Sequence, residues 1–133
     1  MPGYLLDSSA VLALFGSEPG AAIVEPMLRD SAIHSVQVAE IVKKLADRGV
    51  PDVEAERAIS ALGLQILESL TYTDAVCSRA YRHKGLSLGD RICLTTADLA
   101  GMTAVTAEHR WKEIVDADTS LTVKVVLIRP KAH

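Results

Sequence analysis

The sequence predicts an α/β fold: a mostly parallel sheet of about five strands covered on both faces by helices, in three layers, within a single domain spanning residues 1–133. Three observations carry this. Short apolar runs alternate with longer stretches of helical spacing along the whole chain. The hydrophobic fraction is 49%, yet there are only one Trp, one Phe and three Tyr, so Ala, Val, Ile and Leu must build the core. And 133 residues suffice for one domain with a real core but not for two ordinary ones.

The elements follow in order. "GYLLD" is an apolar strand ending at Asp7, and "SSAVLALF" continues at once with helical spacing, so strand passes into helix at that acid. Gly16 to Gly20 is a turn, and Ala21 to Arg29 can form a helix. "SAIHS" is a second strand. A helix from Val36 to Arg48 places Val38, Ile41, Val42 and Leu45 on one side and Gln37, Glu40, Lys44 and Asp47 on the other, with Gly49 and Pro51 as its stop. Asp52 to Leu62 is helical, Gly63 breaks it, and "LQILES" is a third strand. Thr73 to His83 is helical, with Thr73 or Asp74 as its cap and Gly85 as its stop. Ser87 to Leu99 is a further helix ended by Gly101, "MTAVTA" a fourth strand, and His109 to Val115 a short helix. "LTVKVVLI" is the fifth strand.

Charge and cysteine content narrow the function. Fourteen Lys and Arg against seventeen Asp and Glu give a net charge of −3, so a polyanion would need a local basic patch or a bridging metal. Cys77 and Cys93 lie in predicted helices without a CxxC spacing, which suggests neither zinc nor disulfides and fits a reducing, cytoplasmic location. No apolar run nears the ~20 residues of a membrane span, and the N-terminus lacks the pattern of a secretion signal. His133 could belong to a tag.

Four acids stand where the chemistry should be. In a parallel sheet, ligands bind beyond the carboxyl ends of the strands, where the following helices begin. Asp7 and Glu108 fall there directly, Glu40 lies on the helix after the second strand, and Asp90 is in the first turn of another helix. Each has a plain alternative. Asp7 reads as an N-cap stabilising its helix by ~1 kcal/mol. Asp90 reads as the capping-box partner of Ser87, Glu40 as an exposed pair with Lys44 worth roughly 0.2–0.5 kcal/mol, and Glu108 as a first-turn acid favoured by the helix dipole. Taken together they form a set. Clustered carboxylates repel unless a cation joins them, and oxygen-only ligands suit Mg2+ or Mn2+, ions that hold phosphoryl oxygens and activate water.

The ordered segments "YLLDSSAVLALF", "HSVQVAEIVKKL", "GLSLGDRICLTTA" and "TAVTAEHRW", followed by a last strand, resemble a PIN-domain ribonuclease, specifically the VapC-type toxin of bacterial toxin–antitoxin pairs. The resemblance spans essentially the whole chain. It implies a PIN-like α/β/α sandwich in which Asp7, Glu40 and Asp90 hold Mg2+ or Mn2+, with Glu108 where the family has Asp in a Thr-x-Asp context, here Thr106, Ala107, Glu108. The family often has Asn three residues before its second acid; Gln37 stands there, a change expected to loosen an orienting hydrogen bond. Asp7, Glu40, Asp90 and Glu108 are thus the expected catalytic and metal-binding set.

Arg91 and Arg110, close in sequence to the acids, are the expected phosphate contacts, with Ser9 and Thr106 joining them in substrate binding. Lys43, Lys44 and Lys112 lie near the same edge, and Arg79, Arg82, His83 and Lys84 further off. His34, His83 and His109 are read as surface or helix-end residues, and Trp111 as core packing. The resemblance also implies hydrolysis of structured RNA such as tRNA or rRNA, a homodimer, and a VapB-type antitoxin inserting a peptide into the acidic pocket. The helices Ala21 to Leu28 and Asp52 to Leu62 offer apolar faces for either contact. Two rivals are a PIN-like module that binds antitoxin or RNA without cutting it, and a phosphoacceptor signalling domain. The latter wants an Asp at the end of a middle strand, where this chain has "ILESL".

Overall fold

The computed structural model describes residues 2–129, so His133 lies outside the described residues. The chain runs β1 (Tyr4–Leu6), α1 (Ser8–Phe15), α2 (Ala21–Val24), β2 (Ser31–His34), α3 (Ser35–Asp47), α4 (Asp52–Ala61), β3 (Gln65–Leu67), α5 (Tyr72–Cys77), α6 (Leu88–Ala100), β4 (Thr103–Thr106), α7 (His109–Ala117) and β5 (Lys124–Leu127). The five strands form one sheet in the order β3-β2-β1-β4-β5, and every pairing is parallel. The chain winds outward in one direction from β1 to β3 and in the other from β4 to β5. The reversal falls between β1 and β4, where a doubly wound sheet opens a crevice at its carboxyl edge.

Alternation within the short strands fills both faces. Leu6, Ile33 and Val105 point to one side, joining Val11 and Leu12 of α1, Ile41 and Leu45 of α3 and Ala55 of α4. Their neighbours Leu5, Ala32 and Ala104 point to the other, against Cys93, Leu94 and Ala97 of α6 and Trp111 of α7. The expected burial of Trp111 therefore holds. The central residues of the strands are apolar because both faces of the sheet are covered. Only β3, at the sheet edge, is largely exposed.

Two predicted helices are shorter than expected. Ala21 to Arg29 is not one α-helix: α2 stops at Val24 and a 3₁₀ stretch, Glu25–Asp30, follows. Pro26 explains the change, having no N–H to continue the α ladder. Thr73 to His83 likewise divides into α5 and a 3₁₀ turn, Ser78–Tyr81, and its cap is Thr71, which forms a capping box with Asp74. Among the described residues no helix is long and apolar enough to cross a membrane.

Candidate active site

Asp7 ends β1 at the switch point. Its amide donates to Val105 O of β4 at 3.0 Å, the last rung joining the two strands at that edge. Its backbone is extended, and its Oδ1 accepts from Ala10 N at 2.8 Å, so Asp7 is the N-cap of α1, as one of its two readings required. The side chain is nevertheless 2% exposed. Two hydroxyls complete its shell: Thr106 Oγ1 donates to Oδ2 at 2.6 Å, and Ser9 Oγ lies 2.7 and 2.9 Å from the two carboxylate oxygens.

The backbone occupies an acceptor position on each hydroxyl. Ala107 N donates to Ser9 Oγ and Glu108 N donates to Thr106 Oγ1, both at 2.9 Å, so each hydroxyl keeps its own proton for Asp7. Ser9 has one such proton and faces two carboxylate oxygens. One lone-pair position on Asp7 therefore stays open at any moment. Burial, against the lowering pull of these hydrogen bonds, raises the Asp7 pKa to about 7, and Glu108 adds a smaller upward push.

Asp90 sits at the third position of α6 in a full capping box: Ser87 N donates to its Oδ2 at 2.9 Å, and its own amide donates to Ser87 Oγ at 3.1 Å. Glu40 stands one turn into α3, its carboxyl raised above the ordinary value first by burial and then by Asp90, with Lys44 and Ser8 opposing. Its carboxylate rests against the Cα of Gly89, where any Cβ would overlap it. Beneath them the Cys93 thiol is pushed well up by burial and, after that, by Asp7, Asp90 and Glu40 together. All four acids are thus within electrostatic reach of one region. Glu108 is the N-cap residue of α7 but makes no side-chain capping bond and is exposed.

Gln37, expected only to loosen an orienting hydrogen bond, was not counted among the site residues. It is 1% exposed, its Oε1 accepting from Ser8 N at 3.0 Å and its Nε2 donating to Gly89 O at 2.8 Å. The expectation of a loosened bond is wrong, because the longer arm makes both contacts. His34 is a helix-end residue, as one of its two readings required, but a buried one: 1% exposed, it caps α3 by accepting from Val36 N at Nδ1, and its Nε2 meets Ser69 O at 2.8 Å. Thr106 is fully buried and its hydroxyl is engaged with Asp7, so it presents nothing to a substrate. Ser9 is likewise occupied by Asp7 and Ala107. Arg91 turns back to Ser78, its Nη2 3.1 Å from Ser78 Oγ, and would have to leave that partner to touch a phosphate. Arg110 remains exposed beside the Lys84–Gly85 backbone.

The donor set fits a hard divalent cation. It is all oxygen, and two of its carboxyls are held above their ordinary pKa by burial and by other acids, a condition that positive charge relieves. As the side chains stand, no three His, Cys, Asp or Glu among the described residues converge tightly enough to enclose one ion. Asp7 and Asp90 are held by hydrogen bonds, so closing would fall to the longer arms of Glu40 and Glu108.

Fold and site together define a doubly wound α/β domain with a buried carboxylate at its switch point. The chain matches the PIN domain family over residues 4–117 and belongs to it. Domains of this family generally use divalent metal ions. Among curated proteins no sequence matches. Among solved structures, a toxin–antitoxin complex from Klebsiella pneumoniae shares the fold at TM-score 0.70 and 21% identity, covering 96% of this chain and 99% of that one. VapBC2 from Rickettsia felis, bound to a DNA fragment from its promoter, gives 0.65 at 16% identity, over 93% and 97%. DNA-bound VapBC from Salmonella typhimurium gives 0.66 at 14% identity, over 96% and 99%.

Proposed function

We propose that this chain is a VapC-type toxin, a Mg2+- or Mn2+-dependent ribonuclease that hydrolyses phosphodiester bonds in structured RNA such as tRNA or rRNA. One observation carries the reading: a carboxylate that the fold buries and surrounds with donors at the sheet's switch point, with Glu108 in electrostatic reach of it and Asp90 and Glu40 acting with it on the Cys93 thiol. A simple N-cap has no need of such burial. Asp7 and Asp90 would hold the cation as fixed ligands, with Glu40 and Glu108 as the adjustable ones. When bound, the ion supplies Lewis-acid stabilisation of phosphoryl charge and a more acidic water. Ser9 and Thr106 keep Asp7 oriented, and their hydrogen bonds pull its pKa down against the effect of burial. Arg110, exposed in the first turn of α7, would meet a backbone phosphate.

The toxin assignment draws support from the toxin–antitoxin complexes that share the fold. A cavity of about 360 Å³ between α3 and α4, lined by Val38, Val42, Ala55 and Ile59, suits an apolar segment of a VapB-type antitoxin. A homodimer and a cytoplasmic location belong to the same proposal, as does one domain spanning residues 1–133.

Cleavage of a pooled tRNA and rRNA preparation by antitoxin-free protein tests it. Discrete fragments with Mn2+ or Mg2+, absent with EDTA and with Asp7→Asn or Asp90→Asn, are expected. Intact RNA from folded wild-type protein contradicts the proposal and favours the module that binds without cutting.

A further inference from the structure

Gln37 joins the N-termini of α1 and α6, each next to an acid, from a third helix that carries another. Ser8, whose amide it caps, follows Asp7 directly, and Gly89, whose carbonyl it binds, precedes Asp90 directly. Its partners lie 29 and 52 residues away in sequence, so these are tertiary ties and not local turn bonds. Its own helix bears Glu40 one turn further on, and α3 packs against both α1 and α6. The amide orientation is unambiguous: flipped, it would set carbonyl against carbonyl and N–H against N–H.

We infer that Gln37 is a positioning residue, a neutral strut that fixes the separation of the α1 and α6 N-termini and thereby of Asp7, Glu40 and Asp90. This rests on the nuclease reading for its consequence, though not for its geometry. The side-chain type follows from the surroundings. A cation here would neutralise the acids internally, a carboxylate would add to their repulsion, and an apolar chain would strand the Ser8 amide, which as the first N–H of α1 has no partner within its helix. An amide supplies one acceptor and one donor without charge. Asn would carry the same groups on an arm one methylene shorter and could not reach both partners in this arrangement. Residues supporting a metal's ligands typically alter affinity by 10- to 100-fold when removed.

Two readouts on wild type, Gln37→Met and Gln37→Asn test the strut: hydrogen exchange of the Ser8 amide in the metal-free protein, and Mn2+ affinity by electron paramagnetic resonance, both well below each variant's melting temperature. Ser8 should lose protection in Q37M, with Mn2+ binding ~10- to 100-fold weaker, and Q37N should fall between it and wild type. A merely structural amide would lower the melting temperature without moving the Mn2+ affinity of the folded protein. Ser8 protection retained in Q37M overturns the strut, as does unchanged Mn2+ affinity once that protection is lost. If Q37M does not fold, Q37N decides: wild-type values in both readouts overturn the inference. Should wild-type protein bind no Mn2+ and cut no RNA, the nuclease reading fails by itself, and Ser8 exchange alone still judges the strut.

Discussion

β1 and β4 lie side by side, run in the same direction, and each hands over to a helix at an acidic residue in extended conformation. At the first junction Asp7 is buried, accepts from one amide and two hydroxyls, and has its pKa raised to about 7. At the second, Glu108 is exposed and caps nothing with its side chain. The contrast teaches that an acid at a strand–helix junction says little by itself; what matters is how many groups from elsewhere in the chain are committed to it. Ser9, Thr106 and, one residue removed, Gln37 are committed to the Asp7 side. Even the backbone of the second junction serves the first, because Ala107 N and Glu108 N orient the hydroxyls that face Asp7.

Activity should break this comparison most widely. Asp7→Asn keeps the shape and removes the charge, and losing several kcal/mol of charge stabilisation corresponds to a ~10²- to 10³-fold fall in cleavage rate. Glu108→Gln should fall less, measured side by side on the same RNA.

Next in size is the effect of pH on the metal-free protein. A folded-state pKa of about 7 against an ordinary 3.8 means that the folded chain holds a proton which the unfolded chain releases in between. Stability from this group is fully present below pH 3.8 and is lost as pH rises to about 7, by a few kcal/mol at roughly 1.4 kcal/mol per unit. Urea midpoints should therefore decline over that window in wild type. In Asp7→Asn this part of the decline should vanish, and in Glu108→Gln it should persist.

Thr106→Val is expected to cost about 1 kcal/mol by denaturant unfolding, since it removes a buried hydrogen bond from Asp7 and the acceptor for Glu108 N. It should also move the pH window upward. Smallest of all, Glu108→Gln should leave metal-free stability within ~0.5 kcal/mol of wild type, as an exposed side chain that makes no capping bond would. A loss comparable to that of Thr106→Val would erase the distinction between the two junctions.

Much of the fold was legible because strand and helix periods are local. The order of elements, their alternation and the parallel sheet followed from patterns a few residues long. Boundaries strayed where one residue overrules the pattern, as Pro26 does for α2 and Thr71 for α5. Site acids were visible as residues at strand ends and in first turns. Their supporting groups were less so. That Ser9 and Thr106 turn inward, that Arg91 turns to Ser78, and that His34 and Gln37 are buried all depend on contacts between residues 13 to 99 positions apart. No local period encodes those. The signals for Gln37 were its place three residues before Glu40, where the resembled family often has Asn, and its position in the first turn of α3.

The most direct test of the central claim, that the fold holds Asp7 in readiness for a divalent cation, is to follow its carboxyl carbon by NMR through a pH titration with and without Mg2+. The account predicts a midpoint near 7 in the metal-free protein and a shift to much lower pH with the ion, in wild type and in Glu108→Gln alike. A midpoint indifferent to Mg2+ at concentrations that support cleavage would contradict it.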